Sequence, residues 1–104
     1  MSVTEGGTIG VRHDNDGGIT LTIMGSFNFG RFDEFHRAIG DKPAPRYTVD
    51  LRQTEYIDSA ALGMLLLLRE RVSEDPAKVV LQVGEGQPGD VLRLANFGSL
   101  FTMS

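Results

Sequence analysis

Cysteine and tryptophan are both absent from this 104-residue chain. Without cysteine there is no disulfide and no cysteine-based zinc site, which fits a cytosolic location. Positive charge is in deficit: 10 Lys and Arg stand against 14 Asp and Glu, a formal net charge of -4. Nucleic-acid binding calls for a basic stripe, and an anionic membrane surface asks for the same, so neither partner is expected. Long apolar runs are also missing. The longest covers residues 64–68, far short of the roughly 20 apolar residues a membrane-spanning helix needs. Residues 1–7 contain neither a basic nor an apolar segment, so no secretion signal is expected there. The length suits one domain, residues 1–104, built around one core.

Periodicity then divides the chain. Residues 8–13 alternate weakly, and Asp14-Asn15-Asp16-Gly17-Gly18 reads as a hairpin turn. Ile19, Leu21 and Ile23 alternate with threonine, the pattern of a strand with one buried face. Gly25 is expected to end that strand, with Ser26-Phe27-Asn28-Phe29-Gly30 as a loop. Phe32, Phe35 and Ile39 share one face of a helix over residues 31–39, and Gly40 suits its C-terminal cap. Residues 47–51 read as a central strand, followed by a short polar turn. A leucine-rich helix then opens near Ser59 and runs to about Ser73, burying Leu62, Leu65 or Leu66, and Val72, before Glu74-Asp75-Pro76 stops it. Residues 78–83 are almost continuously apolar and read as a strand buried on both faces. A short helix over residues 89–96, with Val91, Leu92, Leu94 and Ala95 inward, precedes a last short strand at 100–103. Strands alternating with helices after one hairpin predict an α/β fold with a mixed, largely parallel sheet.

The chemistry concentrates at Asp58-Ser59, where the leucine-rich helix begins. Helix N-termini present unpaired N–H groups and a favourable dipole to negative charge. One reading makes Asp58 or Ser59 a capping residue and nothing more. The other makes Ser59 a phosphorylation site, because a phosphate at this helix end leaves the fold intact. The paired aromatics Phe27 and Phe29 allow two readings as well: packing at a strand end, or a ring exposed beside Ser59 as a docking anchor.

Rival motifs fail on spacing. Residues 57–61 read Ile-Asp-Ser-Ala-Ala, not the G-x-S-x-G of a nucleophile elbow, and neither His13 nor His36 shows a local sign of a triad role. No enzymatic activity is therefore expected. Gly84-Glu85-Gly86-Gln87-Pro88-Gly89 matches G-x-G-x-x-G, but only 15 residues follow, too few to complete a dinucleotide fold, so it reads as a loop. In the Asp14-Asp16 turn the glycine comes too early for a calcium loop. Arg69-Glu70-Arg71 reads as a solvated helix face. No metal site or cofactor is expected.

Asp58-Ser59-Ala60-Ala61-Leu62-Gly63, preceded by Val49-Asp50-Leu51 and followed by the leucine-rich helix, resembles the Asp-Ser-Ser-Gly-Leu-Gly motif of STAS-domain anti-sigma factor antagonists. Gly25-Ser26-Phe27-Asn28 is similar to the family's Gly-x-Leu-Asp, and residues 91–101 to its terminal helix and short strand. The resemblance covers residues 8–103. Three positions depart from the pattern: Asn28 replaces Asp, Ala60 replaces the second serine, and Ala61 replaces glycine.

The resemblance implies a STAS fold of four to five strands and a partner-switching role. The unphosphorylated form would bind an anti-sigma factor, a serine kinase of the histidine-kinase-like ATPase fold. Phosphorylation of Ser59 would release it, and a PP2C-type serine phosphatase would reset it. ATP and magnesium would belong to those partners. The docking surface expected for this role is Phe27, Asn28, Phe29, Asp58, Ser59, Ala60, Leu62 and Gly63. An alternative within the same family is an accessory subunit of a membrane transport complex, where the Asp-Ser loop contacts an ATPase.

Overall fold

The computed structural model describes residues 9–72 and 75–104. A hairpin opens the chain: β1 (Ile9–His13) pairs antiparallel with β2 (Ile19–Ile23). Its turn closes where the Asp14 N–H donates to the Gly18 carbonyl at 2.8 Å, and Asp16 ion-pairs with Arg46. All further strands of the main sheet are parallel. β4 (Tyr47–Asp50) pairs with β2, β6 (Val79–Gln82) with β4, and β7 (Thr102–Met103) with β6, giving the order β1-β2-β4-β6-β7. The residues expected to form a central strand do lie at the centre.

Register explains the core. Leu21, Val49 and Leu81 sit side by side across three strands, all fully buried. They face α1 (Phe32–Ile39) through Phe35 and Ile39, and α2 (Ser59–Arg71) through Ala61, Met64, Leu65 and Leu68. The opposite face carries Thr20 and Asp50, both buried, with Thr22, Thr48, Val80 and Gln82 half-buried. β6 is therefore buried on one face only, not on both as its apolar run suggests. An apolar run identifies a strand but not how many of its sides are covered.

Two strand segments depart from the sequence-based expectation. Gly25, expected to end β2, and Ser26 and Phe27, expected in a loop, form β3 (Gly25–Phe27), and part of the expected polar turn is β5 (Thr54–Ile57); the two pair in parallel as a separate two-stranded sheet. Gly25, at φ 81°, breaks β2 from β3 and redirects the chain toward β5. The Thr54 hydroxyl donates to the Ile23 carbonyl at 2.6 Å and ties β5 to the end of β2.

A buried arginine holds this bend. Arg31 follows in a single 3-10 turn (Phe29–Arg31) and is 4% exposed. Its Nη1 donates to the carbonyls of Met24 and Ser26 at 3.2 and 2.6 Å, and its Nε to Glu34 at 2.8 Å. The other Glu34 oxygen accepts the Ile9 N–H at 2.7 Å. Paired with Glu34, this buried guanidinium fastens the bend between β2 and β3 to α1, and Glu34 in turn holds β1.

The other helices are trimmed differently from expectation. Ser73 and Glu74, at the expected end of α2, lie outside the described residues, as does Thr8. Arg69 and Arg71 are not a solvated face: Arg69 donates to the Leu100 carbonyl and Arg71 to the Gly40 carbonyl, at 3.2 and 2.7 Å. α3 (Gln87–Leu94) starts two residues early and buries Leu92, while Val91 is half-buried and Leu94 is 88% exposed.

Candidate functional site

α2 begins at Ser59 because Asp58 precedes it in extended conformation, φ -113° and ψ -176°, and accepts the Ala61 N–H on Oδ1 at 3.0 Å. The cap satisfies one orphan donor of the first turn. Oδ2 of the same carboxylate accepts the Phe29 N–H at 3.3 Å. One side chain thus joins the start of α2 to the segment that follows β3. Capping falls to Asp58, which leaves Ser59 exposed; among the described residues its hydroxyl takes part in no hydrogen bond.

The two aromatics take one role each. Phe27 is fully buried, its ring 5.4 Å from that of Phe35. Its expected place in a docking surface is corrected: strand alternation aims it inward, and of the two readings for this ring the structure shows packing at the strand end. Phe29 is 72% exposed beside Asp58. Asn28, between them, is half-buried, and its carbonyl accepts the Arg31 N–H at 2.9 Å to start the 3-10 turn. On α2, Ala60 and Leu62 are half-buried and Gly63 is exposed. A Cβ built on Gly63 would meet no atom within 4 Å. Phe29, Asn28, Asp58, Ser59, Ala60, Leu62 and Gly63 are all at least partly accessible, on the loop after β3 and the first turns of α2.

Backbone pairing anchors this cluster from below. Ile57 pairs with Phe27 across the small sheet, and the Asp58 N–H points to the Phe27 carbonyl at 3.4 Å. From the other side, Gln87 Oε1 accepts the Ile57 N–H at 2.8 Å while its Nε2 donates to the Ile57 carbonyl at 2.9 Å. Sequence reading passed over Gln87, since a lone glutamine after a glycine-rich turn carries no signal of its own. The glycines around it have a structural use. Gly86 takes φ 118°, and a Cβ on Gly89 would lie 2.8 Å from the Gly84 carbonyl oxygen, so the G-x-G-x-x-G match is a tight turn into α3.

Strong electrostatics lie at the turn before β5. Arg52 grips Asp50 through Nε and Nη2 at 2.9 and 3.0 Å, and its N–H adds a third bond at 3.0 Å. The Arg52 side-chain hydrogen bonds hold the Asp50 carboxyl below the usual carboxylate range. Among the described residues, no group of three His, Cys, Asp or Glu side chains is placed to hold a metal. His36 lies against Phe32 at 5.9 Å on α1.

Comparison with known proteins agrees with this geometry. A family model described as "Mlab, STAS domain" matches residues 11–102. A STAS-domain containing protein of Pseudomonas aeruginosa (strain UCBPP-PA14) is 39% identical over 89 residues, spanning 83% of this chain and 87% of its own length. Two solved structures share the fold. An anti-sigma factor antagonist from Mycobacterium paratuberculosis superposes with TM-score 0.78 at 21% identity, over 92% of this chain and 83% of that one. The anti-sigma factor antagonist SpoIIAA in its unphosphorylated form gives 0.70 at 11% identity, over 93% and 87%. The sheet order, the capped helix carrying Ser59 and the match over nearly the whole chain lead to one assignment: this chain belongs to the STAS-domain family.

Proposed function

We propose that this chain is an anti-sigma factor antagonist acting by partner switching, with no catalytic role of its own. In the unphosphorylated form it docks an anti-sigma factor of the serine-kinase type through Phe29, Asn28, Asp58, Ser59, Ala60, Leu62 and Gly63. That kinase phosphorylates Ser59 and the complex separates; a PP2C-type serine phosphatase restores the first state. Two structural antagonists of the same fold support this reading. The observation that carries it is an exposed hydroxyl on the first residue of α2, beside a phenylalanine that is 72% exposed.

The switch is electrostatic. Burying an exposed phenylalanine at an interface is favourable by about 1.5–3 kcal/mol. Phosphorylation adds about -1.5 to -2 charge at the same spot. Docking would then have to strip water from a dianion next to the Asp58 carboxylate, on a chain already at -4. Losing about 3 kcal/mol weakens binding roughly 150-fold. The helix end itself tolerates the phosphate, so release requires no refolding of this chain. ATP and magnesium belong to the kinase. The setting is the cytoplasm; among the described residues no helix is long and apolar enough to cross a membrane.

Affinity capture with Ser59→Ala and Ser59→Asp baits in parallel tests the proposal. The alanine bait should retain a kinase of the histidine-kinase-like ATPase fold, and the aspartate bait should lose most of it. With that kinase and ATP, mass spectrometry should place one phosphate on Ser59 of the wild type. Equal retention by both baits counts against electrostatic exclusion. Capture of a transport ATPase instead moves the reading to an accessory subunit of a membrane transport complex.

A further inference from the structure

Resting on the partner-switch reading, we infer that Gln87 is a positioning residue for Ser59, acting through Ile57 to hold the switch segment in its docking geometry. A primary amide offers a carbonyl acceptor and an N–H donor side by side, as a peptide group does. Gln87 uses both on one residue, accepting from the Ile57 N–H at 2.8 Å and donating to the Ile57 carbonyl at 2.9 Å. It therefore stands in for a neighbouring strand on the side of β5 that β3 does not occupy. Ile57 is paired with Phe27 on one side and with Gln87 on the other. Asp58 and Ser59 follow directly, so the capped start of α2 leaves a backbone held from both flanks.

The residue that supplies this bond is itself rigidly placed. Gln87 is the first residue of α3, entered through Gly86 at φ 118°. The close approach of Gly89 to the Gly84 carbonyl fixes the direction of the turn, since a Cβ there would sit at 2.8 Å. Pro88, buried just inside the helix start, suits the first turn, where its missing N–H costs nothing. The glycine-rich turn thus serves to deliver one amide to the strand before the switch serine. A site ordered before docking loses less conformational freedom on binding, so Gln87 raises partner affinity without touching the partner.

The test uses the full chain with Gln87→Ala and Gln87→Glu, and the kinase captured by the Ser59→Ala bait. Amide hydrogen exchange is read by NMR at residues 57–61, with the β4 amides as internal reference. Gln87→Ala should speed exchange of the Ile57 N–H about tenfold or more while β4 amides stay protected. Its affinity for the kinase should fall about three- to tenfold, measured where the variant is fully folded. Gln87→Glu keeps an acceptor for the Ile57 N–H, so it should recover protection of that amide and part of the affinity. Unchanged exchange at residues 57–59 in Gln87→Ala overturns the inference. So does faster exchange with kinase affinity equal to wild type, which is what a purely structural role would give. Failure of the partner-switch reading appears elsewhere, in a wild-type chain whose partner ignores Ser59→Asp, and is thereby distinguished from failure of the Gln87 inference.

Discussion

At the scale of single residues, Asp58 carries two connections that are usually divided between side chains. One oxygen caps α2 through Ala61, the other holds the Phe29 backbone. Replacing it with alanine should destabilise the fold by about 1–2 kcal/mol, a lost cap plus a lost tie. Urea unfolding measures this, and Asp58→Asn, which keeps an acceptor for the cap, should recover most of it. A loss well under about 0.5 kcal/mol would mean that the cap contributes little here. That Asp58 or Ser59 would cap the helix was readable in the sequence, from a polar pair before an apolar helical run; that Asp58 does so is the structure's choice. The Phe29 half was not readable, because those residues are 29 positions apart. Arg31 shows the same limit. Periodicity places it only at the start of a helix, yet it is buried against carbonyls of a bend that the tertiary fold creates.

Among the elements, α2 shows a glycine that the fold does not require. Gly63 sits inside the helix, exposed, with open space where a side chain would be. Glycine in a helix interior costs about 0.5–1 kcal/mol relative to alanine. Gly63→Ala should therefore raise stability by about that amount in thermal unfolding. Under the proposed function the bare position lies one turn past Ser59, where a partner's backbone approaches closely, so the same variant should bind the kinase more weakly. Greater stability together with undiminished binding would remove Gly63 from the docking surface. β5 is the element whose presence the sequence concealed. Its burial runs buried, exposed, exposed, buried over Thr54–Ile57, and Tyr56 is 50% exposed, so neither the two-residue period nor an apolar run marks it. The expected inward turn of Leu94 fails for a related reason. α3 has only eight residues, and its contact with β5 through Gln87 sets which face turns inward.

For the molecule as a whole, pH acts on stability through carboxylates gripped by arginine. Arg52 lowers the Asp50 pKa in the folded state, chiefly by side-chain hydrogen bonds. A depressed carboxylate pKa stabilises the fold fully above the unfolded value, about 3.9 for Asp, and the contribution disappears as pH falls through the folded value. Asp16 shifts the same way through the Gly18 N–H and Arg46. Unfolding free energy should thus decline as pH falls from about 5 to 2, and Arg52→Ala should flatten that decline. Denaturant midpoints at pH 7 and pH 3 for both proteins check this. An acid dependence identical in wild type and variant would mean that other carboxylates govern the acid limb.

The order of the main elements, the hairpin, the central strand at residues 47–51 and the helix opening at Asp58-Ser59 were determined by the sequence alone. Each rests on local forces: turn chemistry, side-chain period and capping act between residues a few positions apart. The tertiary structure decided which surfaces those elements cover. It sent Phe27 inward and left Phe29 outside, made a strand of Thr54–Ile57, and brought Gln87 to Ile57 across 30 positions. The physical reason is that burial and long-range hydrogen bonds depend on what lies opposite in space, and a short segment's own period does not specify its neighbour.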